Sequence, residues 1–379
     1  MAKKYFIFFA FALLITGKYC SAQFPPRGAP TINDTLQSVR INADNSVTFS
    51  IYAPKASSIT VGGDFMMGAP AGNLVKRDDG VWSFTCNPVP PDSYTYNFNV
   101  DGISTMDTKS TEFKENPNGL FNYFVIPTAE TDFFALRNVP HGRVESVLYH
   151  STSLHAERRM HVYLPPGFEN IKGRLPVLYL LHGGGDNDLS WTGAAKANLI
   201  LDNLYAAGKL KNMIVVMPAG HTPGKGFSMG TGPEQDPFCK DLLEDIIPLV
   251  EKTYPVSTKG EDRAIAGFSM GGVQTLNMAL WNPEKFGYVC PMGTGYFPSS
   301  LKEIDEKYSA VFKNPAINQF KLFYIGKGKD DNLTAVNCKA TLALFDKYGI
   351  KYKYQEFPGA HSFVFARRYL AFFAPMLFR

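Results

Sequence analysis

Ser269 lies in Gly267-Phe-Ser-Met-Gly271, directly after the short apolar stretch Arg263-Ala-Ile-Ala266 and ahead of a helix expected to begin near Val273. Glycine two residues either side of a serine lets the backbone turn sharply between strand and helix, which lifts the hydroxyl to the carboxyl edge of a sheet as a nucleophile elbow. A bare match to this pattern arises by chance in roughly one chain in several, so the partners decide its meaning. A serine hydroxyl needs a base. Of the histidines at 141, 150, 155, 161, 182, 221 and 361, only His361 follows Ser269, as the chain order of such a fold demands. It sits in the small-residue loop Pro358-Gly-Ala-His-Ser362, after the strand-like Tyr352-Lys-Tyr-Gln-Glu-Phe357. The imidazole needs a carboxylate to orient it and stabilise its charged form. Asp330 and Asp331 follow the apolar run Leu322-Phe-Tyr-Ile-Gly-Lys-Gly328 and leave a strand end at the right place in the chain. Glu284, Glu303, Asp305, Glu306 and Asp346 fall in helices or their connections, and Glu356 lies within a strand. The residues alone leave Asp330 and Asp331 both open.

An ester carbonyl that gains negative charge needs preorganised amide donors. The Met270 amide, one residue past the nucleophile, is one. The run Val177-Leu-Tyr-Leu-Leu181 ends in His182-Gly-Gly-Gly185, a pattern that presents a second amide. Gly184 is the first choice for it, with Gly183 and Gly185 beside it. His182 precedes Ser269 and is expected to brace this glycine loop.

Two textures must position these groups. Residues 39–128 carry short alternating strands separated by Gly, Pro and Asp turns, such as Val47-Thr-Phe-Ser-Ile-Tyr52 and Tyr94-Thr-Tyr-Asn-Phe-Asn-Val100, and predict an immunoglobulin-like β-sandwich. A Pro-rich leader at 23–38 precedes them, and 129–143 is expected as a linker. From 144 to 379, apolar runs at 177–181, 213–217, 264–266 and 321–325 alternate with helical stretches, clearest at 241–252 and 337–348. That alternation predicts an α/β domain with a mainly parallel sheet covered on both faces.

Lys3 and Lys4, the apolar run from Tyr5 to Ile15 and the small residues Ser21-Ala22 form the pattern of an export signal at 1–22, too short to span a bilayer. Without Lys3, Lys4 and Lys18 the net charge of +4 falls to +1, and no basic run remains, which excludes a nucleic-acid partner. Cys86, Cys239, Cys290 and Cys338 are too few to scaffold a chain of 379 residues, and Cys290 in an apolar run is expected as a buried thiol. The scattered histidines offer no zinc set, and no cofactor or metal is implied.

Residues 144–379 resemble the carbohydrate esterase family one and enterochelin-esterase-like branch of the α/β-hydrolases. The resemblance is carried by Arg159-Met-His-Val-Tyr-Leu-Pro-Pro-Gly167, 176–185, Trp191, 198–204, 213–218, Gly267 to Gly272, Asn282-Pro-Glu-Lys-Phe286 and Gly359-Ala-His361. It implies an acid in a Gly-x-x-Asp segment, which lands on Gly328-Lys-Asp-Asp331 and favours Asp331. Where the family has Trp after the histidine and then Trp-Arg, this chain has Phe363, Ala366 and Arg367. Residues 39–128 resemble the early-set sandwich of carbohydrate-binding module family 48, through Gly80-Val-Trp-Ser-Phe84, Pro91-Asp-Ser-Tyr94 and Val100-Asp-Gly102. Trp82, Tyr94 and Tyr96 could then stack on sugars or fill the sandwich core.

Together these readings imply an exported serine carboxylic-ester hydrolase acting on feruloyl or acetyl esters of xylan-type polysaccharide, with Ser269, His361 and Asp331 as catalytic residues and the Met270 and Gly184 amides as the oxyanion hole. A siderophore (enterochelin-type) esterase and a non-catalytic carbohydrate-binding protein are the alternatives. As a sugar-binding module the sandwich would tether polymer, so its removal is expected to hurt polymer hydrolysis more than that of a small ester.

Overall fold

The computed structural model describes residues 30–66, 69–116, 119–224 and 232–379. The export signal at 1–22 and most of the leader lie outside the described residues. A short helix α1 (Ile32–Thr35) precedes ten strands: β1 (Val39–Ile41), β2 (Val47–Tyr52), β3 (Ile59–Gly63), β4 (Gly72–Asn73), β5 (Val75–Lys76), β6 (Val81–Thr85), β7 (Ser93–Val100), β8 (Ile103–Thr105), β9 (Phe113–Asn116) and β10 (Gly119–Val125). They form two antiparallel sheets, ordered β1-β2-β6-β5 and β4-β3-β7-β10-β9, with β8 pairing the far end of β7. Their alternating inward residues (Val47, Phe49, Val61, Tyr96, Phe98, Phe124) meet in one aromatic core. Trp82, Tyr94 and Tyr96 belong to that core, and each polar tip is held from within. Trp82 donates to the Ala53 carbonyl, Tyr94 to the Pro90 carbonyl and Tyr96 to Asp107. The reading of these rings as sugar platforms is therefore corrected: a sandwich this small uses its largest rings to fill itself.

The second domain is an eight-stranded sheet ordered β11-β12-β14-β13-β15-β16-β17-β18. β11 (Arg143–Ser151) and β12 (Ala156–Leu164) form an antiparallel hairpin at one edge. β13 (Val177–Leu181), β14 (Ile214–Pro218), β15 (Arg263–Phe268), β16 (Tyr288–Met292), β17 (Leu322–Gly328) and β18 (Lys353–Phe357) run parallel. The helices are α2 (Ala197–Ala206), α3 (Pro237–Asp241), α4 (Ile247–Thr253), α5 (Met270–Trp281), α6 (Leu301–Phe312), α7 (Ala335–Lys347) and α8 (Phe363–Phe373). Two apolar cores cover the two sheet faces, so the central strands are buried on both sides and read as unbroken apolar runs. This is the α/β-hydrolase architecture behind a β-sandwich.

Some elements depart from the sequence reading. The helix after Ser269 begins at once, at Met270. The stretch expected as one helix at 241–252 is α3, a π-turn over Leu242–Ile246 and α4, with Pro248 unable to donate to the ladder. The expected linker at 129–143 is no loose tether. It forms a 3₁₀ turn over Ala129–Phe134, and Phe134 joins the core of the second domain. Asn203 on α2 donates to the carbonyls of Phe133 and Ala135, and Asp202 accepts from the Gly142 amide at 2.9 Å. Two adjacent phenylalanines make free solvation of this segment costly. Cys86, Cys239, Cys290 and Cys338 are all buried free thiols. No helix among the described residues is long and apolar enough to cross a membrane.

Candidate active site

Sheet order decides which loops meet. β13 lies beside β15 with Leu181 opposite Gly267, so the glycine loop and the serine turn leave the sheet as neighbours. Ser269 takes φ 56° and ψ −114°, a strained conformation for a residue with a side chain. A Cβ on Gly267 would sit 2.1 Å from the Gly271 carbonyl oxygen, and one on Gly271 would sit 2.6 Å from that of His182. The two glycines are thus needed for close backbone approach as well as for the turn. The Ser269 amide donates to the Met292 carbonyl at 2.9 Å and the Thr294 hydroxyl to the Ser269 carbonyl at 2.9 Å, which hold the strained residue in place.

β16 stands between the serine strand and the strands that deliver the other two groups. The chain beyond it passes through Gly293, where a Cβ would come 3.3 Å from the Asp331 carboxylate and 3.0 Å from the Phe268 ring. Its small size lets the acid and base loops reach across. Those loops are laced together, Lys329 donating to Phe357 and Asp330 to Gly359 through their amides.

The outcome is a continuous hydrogen-bond chain. The Ser269 hydroxyl lies 2.8 Å from His361 Nε2, and His361 Nδ1 lies 2.8 Å from Asp331 Oδ2. Asp331 is buried and also accepts from the Thr334 amide at 3.0 Å and the Thr334 hydroxyl at 2.7 Å. Burial pushes its carboxyl up, but the hydrogen bond and charge of His361 with the two Thr334 bonds outweigh this and hold it below the ordinary aspartate value. Asp330 is exposed. The Phe268 ring packs 4.7 Å from the imidazole, centre to centre, and limits its swing.

His182 takes no part in that chain. Its Nε2 accepts from the Gly220 amide at 2.7 Å, so Nδ1 carries the proton and donates to the Gly183 carbonyl at 2.8 Å. Burial lowers its pKa to about 4, so the ring stays neutral and acts as a brace. The His182 carbonyl accepts from the Gly271 amide at 3.1 Å, which takes that amide out of use and leaves Met270 as the donor beside the nucleophile. Across the gap Gly183 is buried, Gly184 is half-buried and Gly185 is exposed. Gln274 on α5 ties the far side, donating to the Gly220 carbonyl and to Asp236. Thr334 and Gln274 escaped the sequence reading because neither lies in a motif; only the packing reveals their partners.

Phe363 is buried between Trp191 and Phe268, and Arg367 is buried in the junction with the sandwich. Beside the glycine loop a cleft of about 310 Å³ opens between the domains, lined by Phe113, Lys114 and Glu115 of β9 and by Leu189, Ser190, Thr192 and Gly193. Among the described residues, no cluster of three or more His, Cys, Asp or Glu side chains could hold a metal ion.

Residues 151–370 match the model of the Esterase family. The chain belongs to that family. Residues 37–123 match Carbohydrate-binding module 48 (Isoamylase N-terminal domain). The family is that of a carboxylic ester hydrolase, and the resemblance read from the sequence holds for both domains. Among curated relatives, an endo-1,4-beta-xylanase/feruloyl esterase of Xylanibacter ruminicola is 34% identical over 358 residues, 89% of this chain and 46% of that protein. Endo-1,4-beta-xylanase Y of Acetivibrio thermocellus is 26% identical over 59% of this chain and 21% of its own length. The chain spans less than half the length of these relatives. Among solved structures, the enterochelin esterase from Shigella flexneri shares the fold over 90% of this chain and 95% of its own, with a TM-score of 0.68 at 14% identity. A ferulic acid esterase covers 63% of this chain and 98% of its own, with a TM-score of 0.54 at 23% identity.

Proposed function

We propose that this protein is an exported serine esterase that removes feruloyl groups from plant cell-wall xylan, with acetyl groups the next candidate. The observation that carries the reading is the 2.8 Å contact from Ser269 to His361, in line with the 2.8 Å contact from His361 to buried Asp331. Ser269 attacks the ester carbonyl while His361 Nε2 takes its proton, and the Met270 and Gly184 amides receive the developing oxyanion. Asp331 keeps the proton of His361 on Nδ1 and stabilises the imidazolium. His361 then protonates the departing sugar alkoxide, and water hydrolyses the acyl-enzyme through the same base. The relative of Xylanibacter ruminicola supports the substrate class, since its name joins xylanase to feruloyl esterase over a match of 358 residues. The apolar segment at 5–15 behind two lysines supports export.

A siderophore esterase is the second reading, favoured by the fold likeness that extends over both domains. Against it, Lys114, Arg159 and Lys196 among the described residues are each engaged by a carboxylate, which leaves these three cations unavailable to an anionic iron chelate. Product analysis on feruloylated and acetylated arabinoxylan oligosaccharides, with a catecholate triester alongside, decides among them. Ferulate release above acetate is expected, and absence of both products would overturn the xylan reading. Turnover of a simple aryl acetate separates an enzyme of any kind from a sugar-binding protein.

A further inference from the structure

The loop that carries Gly184 is held from the other domain. Asp186 closes the glycine turn, its amide donating to the Gly183 carbonyl at 3.1 Å. Its side chain folds back over the loop, where a Cβ on Gly183 would meet Asp186 Oδ2 at 3.0 Å, and is only 8% exposed. A carboxylate therefore lies beside the loop that must welcome negative charge. Lys114 of β9, 13% exposed, answers it, with Nζ 2.7 Å from Asp186 Oδ1. The same ammonium sits 5.2 Å from the ring centre of Phe363, which packs on Phe268, the ring against His361. The register of β9 on this loop is pinned on either side. Glu115 accepts from Arg159 at 3.1 Å and from Asn187 at 3.3 Å, and Arg159 binds Asp188 at 2.6 Å. Glu112 meets Lys196 at 2.6 Å.

We propose that Lys114 of the sandwich is a positioning residue for ester hydrolysis: it cancels the charge of Asp186 and holds the glycine loop so that its amide faces the oxyanion. This rests on the serine-esterase reading. An enclosed carboxylate without a counter-ion repels an oxyanion forming nearby, and it is driven to reach for water, which would pull the turn apart. Preorganisation of the donor is what an oxyanion hole supplies, so either effect falls on the chemical step. On this view the sandwich contributes to hydrolysis of even the smallest ester, which a tethered sugar-binding module would not do.

The test uses the full chain and an aryl acetate. Lys114→Met keeps the aliphatic stem and removes the charge. It is expected to lower kcat about 10- to 100-fold, short of or equal to the loss of one oxyanion donor, with KM changed less than about threefold. Asp186→Asn added to Lys114→Met is expected to recover most of the loss, and Lys114→Arg to keep most of the activity. Wild-type kcat in Lys114→Met, or a loss that Asp186→Asn leaves unrepaired in a folded double variant, would overturn the inference. Should Lys114→Met not fold, Lys114→Arg against Lys114→Gln makes the same comparison, equal kcat in the two refuting the role of charge. Ser269→Ala is assayed in parallel: activity there refutes the serine reading itself, whereas its loss beside an active Lys114→Met refutes only the role of Lys114.

Discussion

The junction between sandwich and hydrolase is built around one carboxylate, and neutralising it should destabilise the whole molecule. Asp92, just before β7, is fully buried and receives Arg367 and Arg368 of α8, the latter at 2.6 Å. Arg367 also donates to the carbonyls of Ser93 at 3.1 Å and Ala194 at 2.8 Å. Val364 of the same helix packs on the sandwich core. Asp92→Asn keeps the shape and removes the charge. Arg367 cannot reach water, so it becomes a buried cation stripped of its hydrogen-bonded counter-ion, with only the more indirect charge of Asp64 left to it, a change that costs about 3–5 kcal/mol. Against a total stability of about 5–15 kcal/mol this is a large share. At about 2.1 cal/mol/K per residue, the cost becomes a fall in Tm of about 4–7 °C for a chain of this size. Calorimetry of the wild type, Asp92→Asn, Arg367→Met and the double variant checks it. The double variant should be more stable than the sum of the single losses by about 2 kcal/mol or more, because it removes both charges. Strict additivity, or a shift below about 1 °C in Asp92→Asn, would refute the argument. By the same reasoning, removing residues 23–128 strips Arg367 and Asp186 of their partners, so its cost should fall on small and polymeric esters alike. A larger loss on polymer than on a small ester would instead bear out the tethering expectation.

Ser269→Ala and His361→Ala should each lower kcat by a factor on the order of 10⁶ with the fold intact, since nucleophile and base act as one unit; activity above a trace in a folded Ser269→Ala would remove the elbow assignment. Asp331→Asn should cost activity far more than Asp330→Asn, and steady-state kinetics of the pair would show equal modest losses if the acid lay elsewhere. Because the folded-state pKa of Asp331 is lowered, its contribution to stability is whole above the ordinary value of 3.8 and is lost as pH falls through the native value. His182, lowered from 6.5 to about 4 by burial, contributes stability that is whole above pH 6.5 and fades toward pH 4, about 3 kcal/mol in all. Asp64, raised by burial to about 6, titrates in the opposite sense. The His182 contribution is therefore read as the difference in urea-unfolding free energy between wild type and His182→Gln, which should shrink by about 3 kcal/mol from pH 7 to 4. A constant difference would mean that His182 is not held neutral.

The residues of the candidate site were legible in the sequence because each obeys a local rule. An elbow requires Gly267 and Gly271 around Ser269, a strand end requires its acid after Gly328, and chain order leaves His361 as the sole histidine downstream. Strands buried on both faces wrote themselves as apolar runs, and the sandwich as short alternating ones. What the sequence left open was whatever depends on two distant segments meeting. Asp330 and Asp331 are adjacent and chemically equal, and only the bonds from His361 and Thr334 distinguish them. Trp82, Tyr94 and Tyr96 carry the same ring faces whether they bind sugar or fill a core, and sheet pairing placed them inside. Arg367 carries no local sign of its role as the clamp of a domain junction, because its partner Asp92 lies 275 residues away. A buried charge must have its counter-ion, but nothing in the local pattern of residues says where along the chain that counter-ion comes from; the tertiary fold decides it.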